Sequence, residues 1–289
     1  MKKMLSLSAL GLMALCSAPI TASAQAPAPA PDPNAPPQVL VITREEIKPG
    51  RGAAHVANEV GWAAMMAKAQ WSTGWLGATS LTGPSEAWFF TGFASLAEFD
   101  KDRVAQEAAP ALSDTAKFQA IDGDLVNRTS TLIAAYRPLL SYQPDVNLAK
   151  MRYFSVDTVV VKPGQAAPFA AQWREIIEAH SKAKLDEHWA VYEVTSGGQT
   201  GTYMFIYALD SLATLDASGA KHVASAYRDA MGEAGRAANT RMNQDAIEWQ
   251  QNRLFAFSPK MSHLSKAWTD VDPDFWMPRP APVAVVKKR

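Results

Sequence analysis

His55, Glu59, Trp62 and Met66 stand at i, i+4, i+7 and i+11 in a stretch, residues 51–70, whose pattern predicts a helix. That spacing puts His55 and Glu59 one turn apart on a single face. A carboxylate beside an imidazole orients the ring and raises its basicity, which suits a general base. The pair could take a proton from a phenolic or enolisable substrate, with Trp62 helping to wall the site. A second stripe, Val56, Val60, Ala63 and Ala67, runs alongside. If that stripe faces the core instead, His55 and Glu59 are a partly solvated surface pair.

An internal duplication singles out the first stripe. Lys48-Pro49-Gly50 recurs as Lys162-Pro163-Gly164, and Trp75 recurs as Trp189, each 114 residues further on. Ser95-Leu96-Ala97-Glu98-Phe99-Asp100 answers to Ser211-Leu212-Ala213-Thr214-Leu215-Asp216, and Ala135-Tyr136-Arg137-Pro138 to Ala256-Phe257-Ser258-Pro259. A repeat of this length is a duplicated domain and not a solenoid unit. The same offset aligns His55, Glu59, Trp62 and Met66 with Phe169, Trp173, Ile176 and His180. The first copy therefore puts a His and a Glu where its twin has a Phe and a Trp. A buried ionisable pair costs free energy unless its members satisfy each other.

The elements that must position these residues read the same way in both copies. In the first, a strand near 39–46 leads through the Lys-Pro-Gly turn into the helix. Two strands follow, 74–81 and 87–93, joined by a turn at Gly83-Pro84-Ser85. Helical stretches at 96–109 and 112–127 precede a closing strand, 129–136. In the second copy the expected elements are a strand from Tyr153, a helix over 166–184, a hairpin turning at Ser196-Gly197-Gly198-Gln199, and a strand over 203–208. A long helical region to about 247 and a strand over 253–257 complete it. The order is β-α-β-β-α-β, the ferredoxin-like unit. Such a sheet covers one face with its helices, and the open face must be buried.

The organisation follows. Residues 1–24 read as a secretory signal, with Lys2 and Lys3, an apolar run over 5–18 and the cleavage pattern Ala22-Ser23-Ala24. Residues 25–37 form an Ala/Pro-rich linker, 38–145 and 150–262 the two ferredoxin-like repeats, and 263–289 an irregular tail. In that tail, 272–278 is too irregular for an element, and Trp268, Phe275 and Trp276 would strap it across the surface. The mature chain would be periplasmic or secreted, with no membrane span after cleavage. Cys16, the only cysteine, would leave with the signal, so no disulfide or thiolate chemistry is expected.

On these features the chain resembles the dimeric α+β barrel superfamily, which includes antibiotic-biosynthesis-type monooxygenases, NIPSNAP-like proteins, muconolactone isomerases and stress-responsive barrel proteins. Most members build the barrel from two chains. The resemblance implies α+β architecture with both repeats fused into one intrachain pseudo-dimeric barrel. It also implies that haem is bound by some members, which here would require His180 or His188 in a cavity.

Balanced charge, 28 basic and 28 acidic residues with no basic stripe, argues against nucleic acid as a partner. No His-x-x-x-His or His-Glu-x-x-His spacing occurs, so no metal site is expected, and no other cofactor is called for. Gly-x-Ser-x-Gly, P-loop and Gly-x-Gly-x-x-Gly patterns are also missing. Nine Trp among many aromatics suggest an apolar pocket for a small apolar or aromatic ligand, lined by Trp62, Met66, Trp75, His180 and Trp189. Three readings are open: an exported binding or accessory protein without chemistry, a cofactor-independent monooxygenase or isomerase using His55 and Glu59, and a haem protein. A homo-oligomer is compatible with all three.

Overall fold

The computed structural model describes residues 35–109, 115–216 and 225–277. The signal, most of the linker, Cys16, His222 and the end of the chain from residue 278 lie outside them. The first repeat runs β1 (Val39–Ile47), α1 (Gly52–Lys68), β2 (Leu76–Ser80), β3 (Glu86–Phe93), α2 (Leu96–Ala108), α3 (Thr115–Leu125) and β4 (Val126–Tyr136). The second runs β5 (Tyr153–Val161), α4 (Ala166–Ala183), β6 (Ala190–Ser196), β7 (Thr202–Leu209), α5 (Ser225–Asp245, kinked at Gly232) and β8 (Ile247–Phe257).

The eight strands close into one antiparallel barrel in the order β1-β3-β2-β8-β5-β7-β6-β4. Each ferredoxin-like sheet taken alone has two unpaired edges, β2 and β4 in one copy and β8 and β6 in the other. The edges join across copies. Ala78 faces Phe257 on β2–β8, and Tyr136 faces Tyr192 on β4–β6. Closure pairs backbone groups that an open sheet would leave exposed.

Strand alternation sorts the side chains. Leu40 and Ile42 point into the barrel, with Trp88, Phe154, Val156, Met204 and Phe255. Phe154 and Phe255 stack at 4.9 Å with 5° between planes, and Trp88 of the other repeat meets Phe255 at 4.5 Å. This interlock ties the copies together, each buried aromatic being worth about 1.5–3 kcal/mol. One end of the barrel is plugged by polar groups: Arg44 lies 5.1 Å over the Trp88 ring, and Arg253 pairs with Glu86. The alternate residues of β1, namely Val39, Val41, Thr43, Glu45 and Ile47, point outward toward the helices.

The Lys-Pro-Gly landmarks now have a physical reason. Lys48 Nζ donates to the carbonyls of Gly123 and Asp124, and Lys162 Nζ donates to those of Gln244 and Asp245. Each ammonium satisfies carbonyls at the end of the helix before the last strand, where the helix dipole is negative. The paired tryptophans are clamps between copies. Trp75 Nε1 donates to Met261 O and Trp189 Nε1 to Leu140 O, both at 2.8 Å.

Two strands begin earlier than expected, β4 at Val126 and β8 at Ile247. Residues 248–253 are polar and lack strand patterning, but their backbone pairs with β5, from Val160↔Trp249 to Val156↔Arg253. The ladder overrides local preference there. The tail also differs from expectation. Asp272 caps a helical turn over Pro273–Trp276, and Trp276 is buried with its Nε1 donating to Ala149 O at 2.7 Å. No helix among the described residues is long and apolar enough to cross a membrane.

Gly197, at the tip of the β6–β7 hairpin, has φ of +80°, and a Cβ there would stand 2.1 Å from Thr131 O on β4. The left-handed conformation alone would cost a side chain about 1–2 kcal/mol. Gly197→Ala is expected to lose at least that much in a urea melt, and an unchanged midpoint would show that this seam adapts freely.

Candidate active site

A cavity of about 1160 Å³ lies between the outer faces of β1 and β3 and the helices of the first repeat. Its apolar wall includes Trp62, Met66, Trp75, Phe89, Phe93 and Phe99, and its polar end is formed by Glu45, Glu59 and Asp122. The side chains of α1 that go in are His55, Asn58, Glu59 and Met66, whereas Val60 is 42 % exposed. The first stripe therefore faces inward, and the Val56/Val60 alternative does not hold.

The pairing inside the cluster differs from the sequence expectation. His55 Nε2 lies 2.7 Å from Glu45 Oε2 and 3.9 Å from Glu59 Oε1, so its hydrogen-bond partner is on β1 and not one turn along α1. His55 is only 1 % exposed and sits behind the two carboxylates that reach the cavity. Asp122 completes the group from α3. Its Oδ1 accepts from Asn58 Nδ2 at 2.7 Å and its Oδ2 from Trp62 Nε1 at 3.2 Å. One potential ligand atom each from Glu45, His55, Glu59 and Asp122 lies within 4.8 Å of all the others.

Glu45 was legible by the comparison that exposed His55. The 114-residue offset aligns it with Val159, a buried core residue. Asp122 was not legible that way, because the copies differ in length between α1 and the last strand. In the structure Ile47 pairs with Val126 and Val161 with Ile247. Asp122 and Asn243, each four residues before that strand, are therefore counterparts. Glu45, His55, Glu59 and Asp122 thus answer to Val159, Phe169, Trp173 and Asn243. The fold does not require the polar group, since the twin does without it.

Burial, reinforced by the charges of Glu45 and Asp122, pushes the Glu59 carboxyl up to about 9 from an ordinary 4.5. The native protein then holds a proton that the unfolded chain releases above its ordinary value. The contribution of Glu59 to stability is fully present below about 4.5 and falls as pH rises through the window to about 9, by up to about 1.4 kcal/mol per pH unit. In chelator-containing buffer, urea melts at pH 6 and pH 8 should show this loss in wild type and a smaller one in Glu59→Gln. Parallel pH profiles would refute it.

The other expected pocket residues divide. Trp62, Met66 and Trp75 line this cavity and His180 and Trp189 a separate one of about 690 Å³ in the second repeat, but Trp75 and Trp189 also meet in a third cavity of about 380 Å³. His180 has both ring nitrogens engaged, Nδ1 with Ile176 O at 2.7 Å and Nε2 with Glu187 Oε2 at 3.1 Å. His188 is likewise engaged, with Gln143 O at 2.8 Å and Asp186 Oδ1 at 3.0 Å. To ligate haem iron through Nε2, His180 would have to give up its contact with Glu187 and His188 its contact with Asp186.

No family profile matches the chain, and no curated protein matches it. Solved structures do. An anthrone oxidase-like protein aligns with a TM-score of 0.51 and 13 % identity, over 78 % of this chain and 93 % of its own. At that identity the likeness is one of fold alone, the dimeric α+β barrel. A candidate monooxygenase from Fusobacterium nucleatum aligns at 0.50 with 11 % identity, over 77 % of this barrel and 93 % of that chain. A chlorite dismutase variant from Candidatus Nitrospira defluvii reaches 0.46 with 12 % identity, over 78 % and 93 %, a score too low to bear on function.

Proposed function

We propose that this barrel is an enzyme of the cofactor-independent oxygenase or isomerase type, taking a proton from a small aromatic, enolisable substrate in the first-repeat cavity. The observation that carries this reading is the buried Glu45–His55–Glu59 group at the edge of an aromatic-walled cavity, set where the twin repeat is apolar. A barrel that merely holds an apolar ligand gains nothing from buried carboxylates, which cost free energy to desolvate.

The roles follow from position. Glu45 faces the cavity and accepts the proton. His55 lies behind it as a positioning residue, its hydrogen bond at 2.7 Å fixing the carboxylate. Trp62, Phe89 and Phe93 offer faces to a flat apolar substrate. Withdrawing the proton from a carbon beside an aromatic ketone leaves an electron pair delocalised as an enolate. In the oxygenase case that carbanion adds dioxygen, the peroxide takes up the proton, and loss of water leaves a second carbonyl. For anthrone the balance is one anthrone and one dioxygen giving one anthraquinone and one water. In the isomerase case the proton returns at another carbon. The basic leader and the Ala22-Ser23-Ala24 pattern support action after export.

The test incubates the protein with a panel of enolisable aromatic ketones, anthrone among them, in deuterated buffer, following deuterium uptake by NMR and oxidation by absorbance. Uptake above buffer for at least one member is expected. A panel untouched with and without dioxygen would retire the reading in favour of a binding protein.

A further inference from the structure

We propose that Glu45, His55, Glu59 and Asp122 form a binding site for one divalent transition-metal cation of the manganese, iron or zinc kind. The donors come from β1, α1 and α3, and their ligand atoms already lie within 4.8 Å of one another. Two ligands of one such ion at about 2.1 Å stand at most about 4.2 Å apart, and about 3.4 Å apart in a tetrahedron, a contraction of about 0.6–1.4 Å that side-chain torsions supply. Three carboxylates and one imidazole make a mixed oxygen and nitrogen set, which suits manganese, iron or zinc better than the all-oxygen shells of calcium and magnesium.

A second observation points to a ligand independently. The Glu59 side chain is only 7 % exposed, makes no hydrogen bond among the described residues, and stands 3.9 Å from the imidazole nitrogen inside the cluster. A carboxylate so enclosed and without a donor is under-satisfied, and a cation at the centre of the four groups would give it a partner. Asp122 is also held as metal ligands are, each of its oxygens fixed by one donor, Asn58 Nδ2 or Trp62 Nε1. The twin site, with Val159, Phe169, Trp173 and Asn243, has none of the four ionisable ligands and serves as an internal control. No spacing motif signals the site, because one donor is on a strand, two on a helix and one 63 residues further along.

The site does not depend on the reaction proposed above, but one consequence does. Glu45 cannot be a metal ligand and a proton acceptor at once, so the cation would act as an inhibitor of that reaction. The experiment strips the purified barrel with chelator and titrates it separately with Mn²⁺ and Zn²⁺ by calorimetry, alongside melting temperatures. One ion per chain and a raised melting temperature are expected. Glu59→Gln and Asp122→Asn, both near-isosteric, should each weaken binding by about 100-fold or more, and Asn58→Ser by about 10–100-fold. His188→Ala, outside the cluster, should leave affinity unchanged, which would exclude capture by a surface histidine. No binding of either ion at millimolar concentration, or equal affinity in wild type, Glu59→Gln and Asp122→Asn, would overturn the site. If no ion binds while Glu45→Gln still abolishes deuterium uptake, the cation site falls and the enzyme reading stands. If an ion binds at the cluster and uptake is absent with and without it, the reverse holds.

Discussion

Glu45→Gln is expected to slow deuterium uptake into a responsive ketone by about 10²–10⁴-fold, the usual contribution of one positioned acid or base. The amide keeps the size of the side chain and can still bond to His55, so the barrel and its cavity should persist. Only the capacity to take a proton is removed. Binding of the ketone, measured by quenching of the cavity tryptophans, should change little, which separates a chemical defect from a binding one. His55→Gln should give an intermediate loss and move the pH profile of uptake, because it alters how Glu45 is held and not whether it exists. Equal rates in Glu45→Gln and wild type would assign the chemistry to Glu59 or to none of these residues.

Stability should respond differently to loss of one member of the cluster and to joint replacement of three of its four members. His55→Ala deprives Glu45 of its one hydrogen-bond partner among the described residues, in a site where Glu45 is 8 % and Glu59 6 % exposed. Breaking a buried charged pair in this way costs about 3–5 kcal/mol, because the remaining group stays desolvated. Replacing the set together, as Glu45→Val, His55→Phe and Glu59→Leu, moves the site toward the apolar arrangement of Val159 and Phe169. Substituting well-packed apolar residues for buried ions is typically neutral or stabilising by about 1–4 kcal/mol. The triple variant should therefore melt at or above wild type in urea and neither exchange deuterium nor bind Mn²⁺. A triple variant as unstable as His55→Ala would mean that the polar group carries structure after all. The contrast also separates the two reasons for keeping buried carboxylates, since folding does not need them and the proposed chemistry does.

How much of this was legible beforehand varies with the range of the interaction. The i, i+4 spacing that puts His55 and Glu59 together on α1 is local, and so are the turn landmarks and the βαββαβ order. Each survived contact with the structure because helix and strand periodicity depend on neighbouring residues alone. The 114-residue offset added one long-range fact, that the first copy is polar where the second is apolar. It did not tell which carboxylate His55 would choose. Glu59 is nearer in sequence, but β1 passes so close to α1 that Glu45 takes the short contact at 2.7 Å. Asp122 arrives 63 residues after Glu59, and only the packing of α3 on α1 brings it in.

The sequence by itself determined the duplication, the element types and the presence of a polar pair on one helix face where the twin copy is apolar, since all three are written in spacing and residue type; which face turns inward was left to the structure. The tertiary structure decided the closure of two open sheets edge to edge. It also assigned His180 and Trp189 to a different cavity from Trp62 and Met66, and it assembled a four-membered site from three elements. Those outcomes depend on distances between segments far apart in the chain, which hydrophobic burial and backbone pairing fix together and no local pattern encodes.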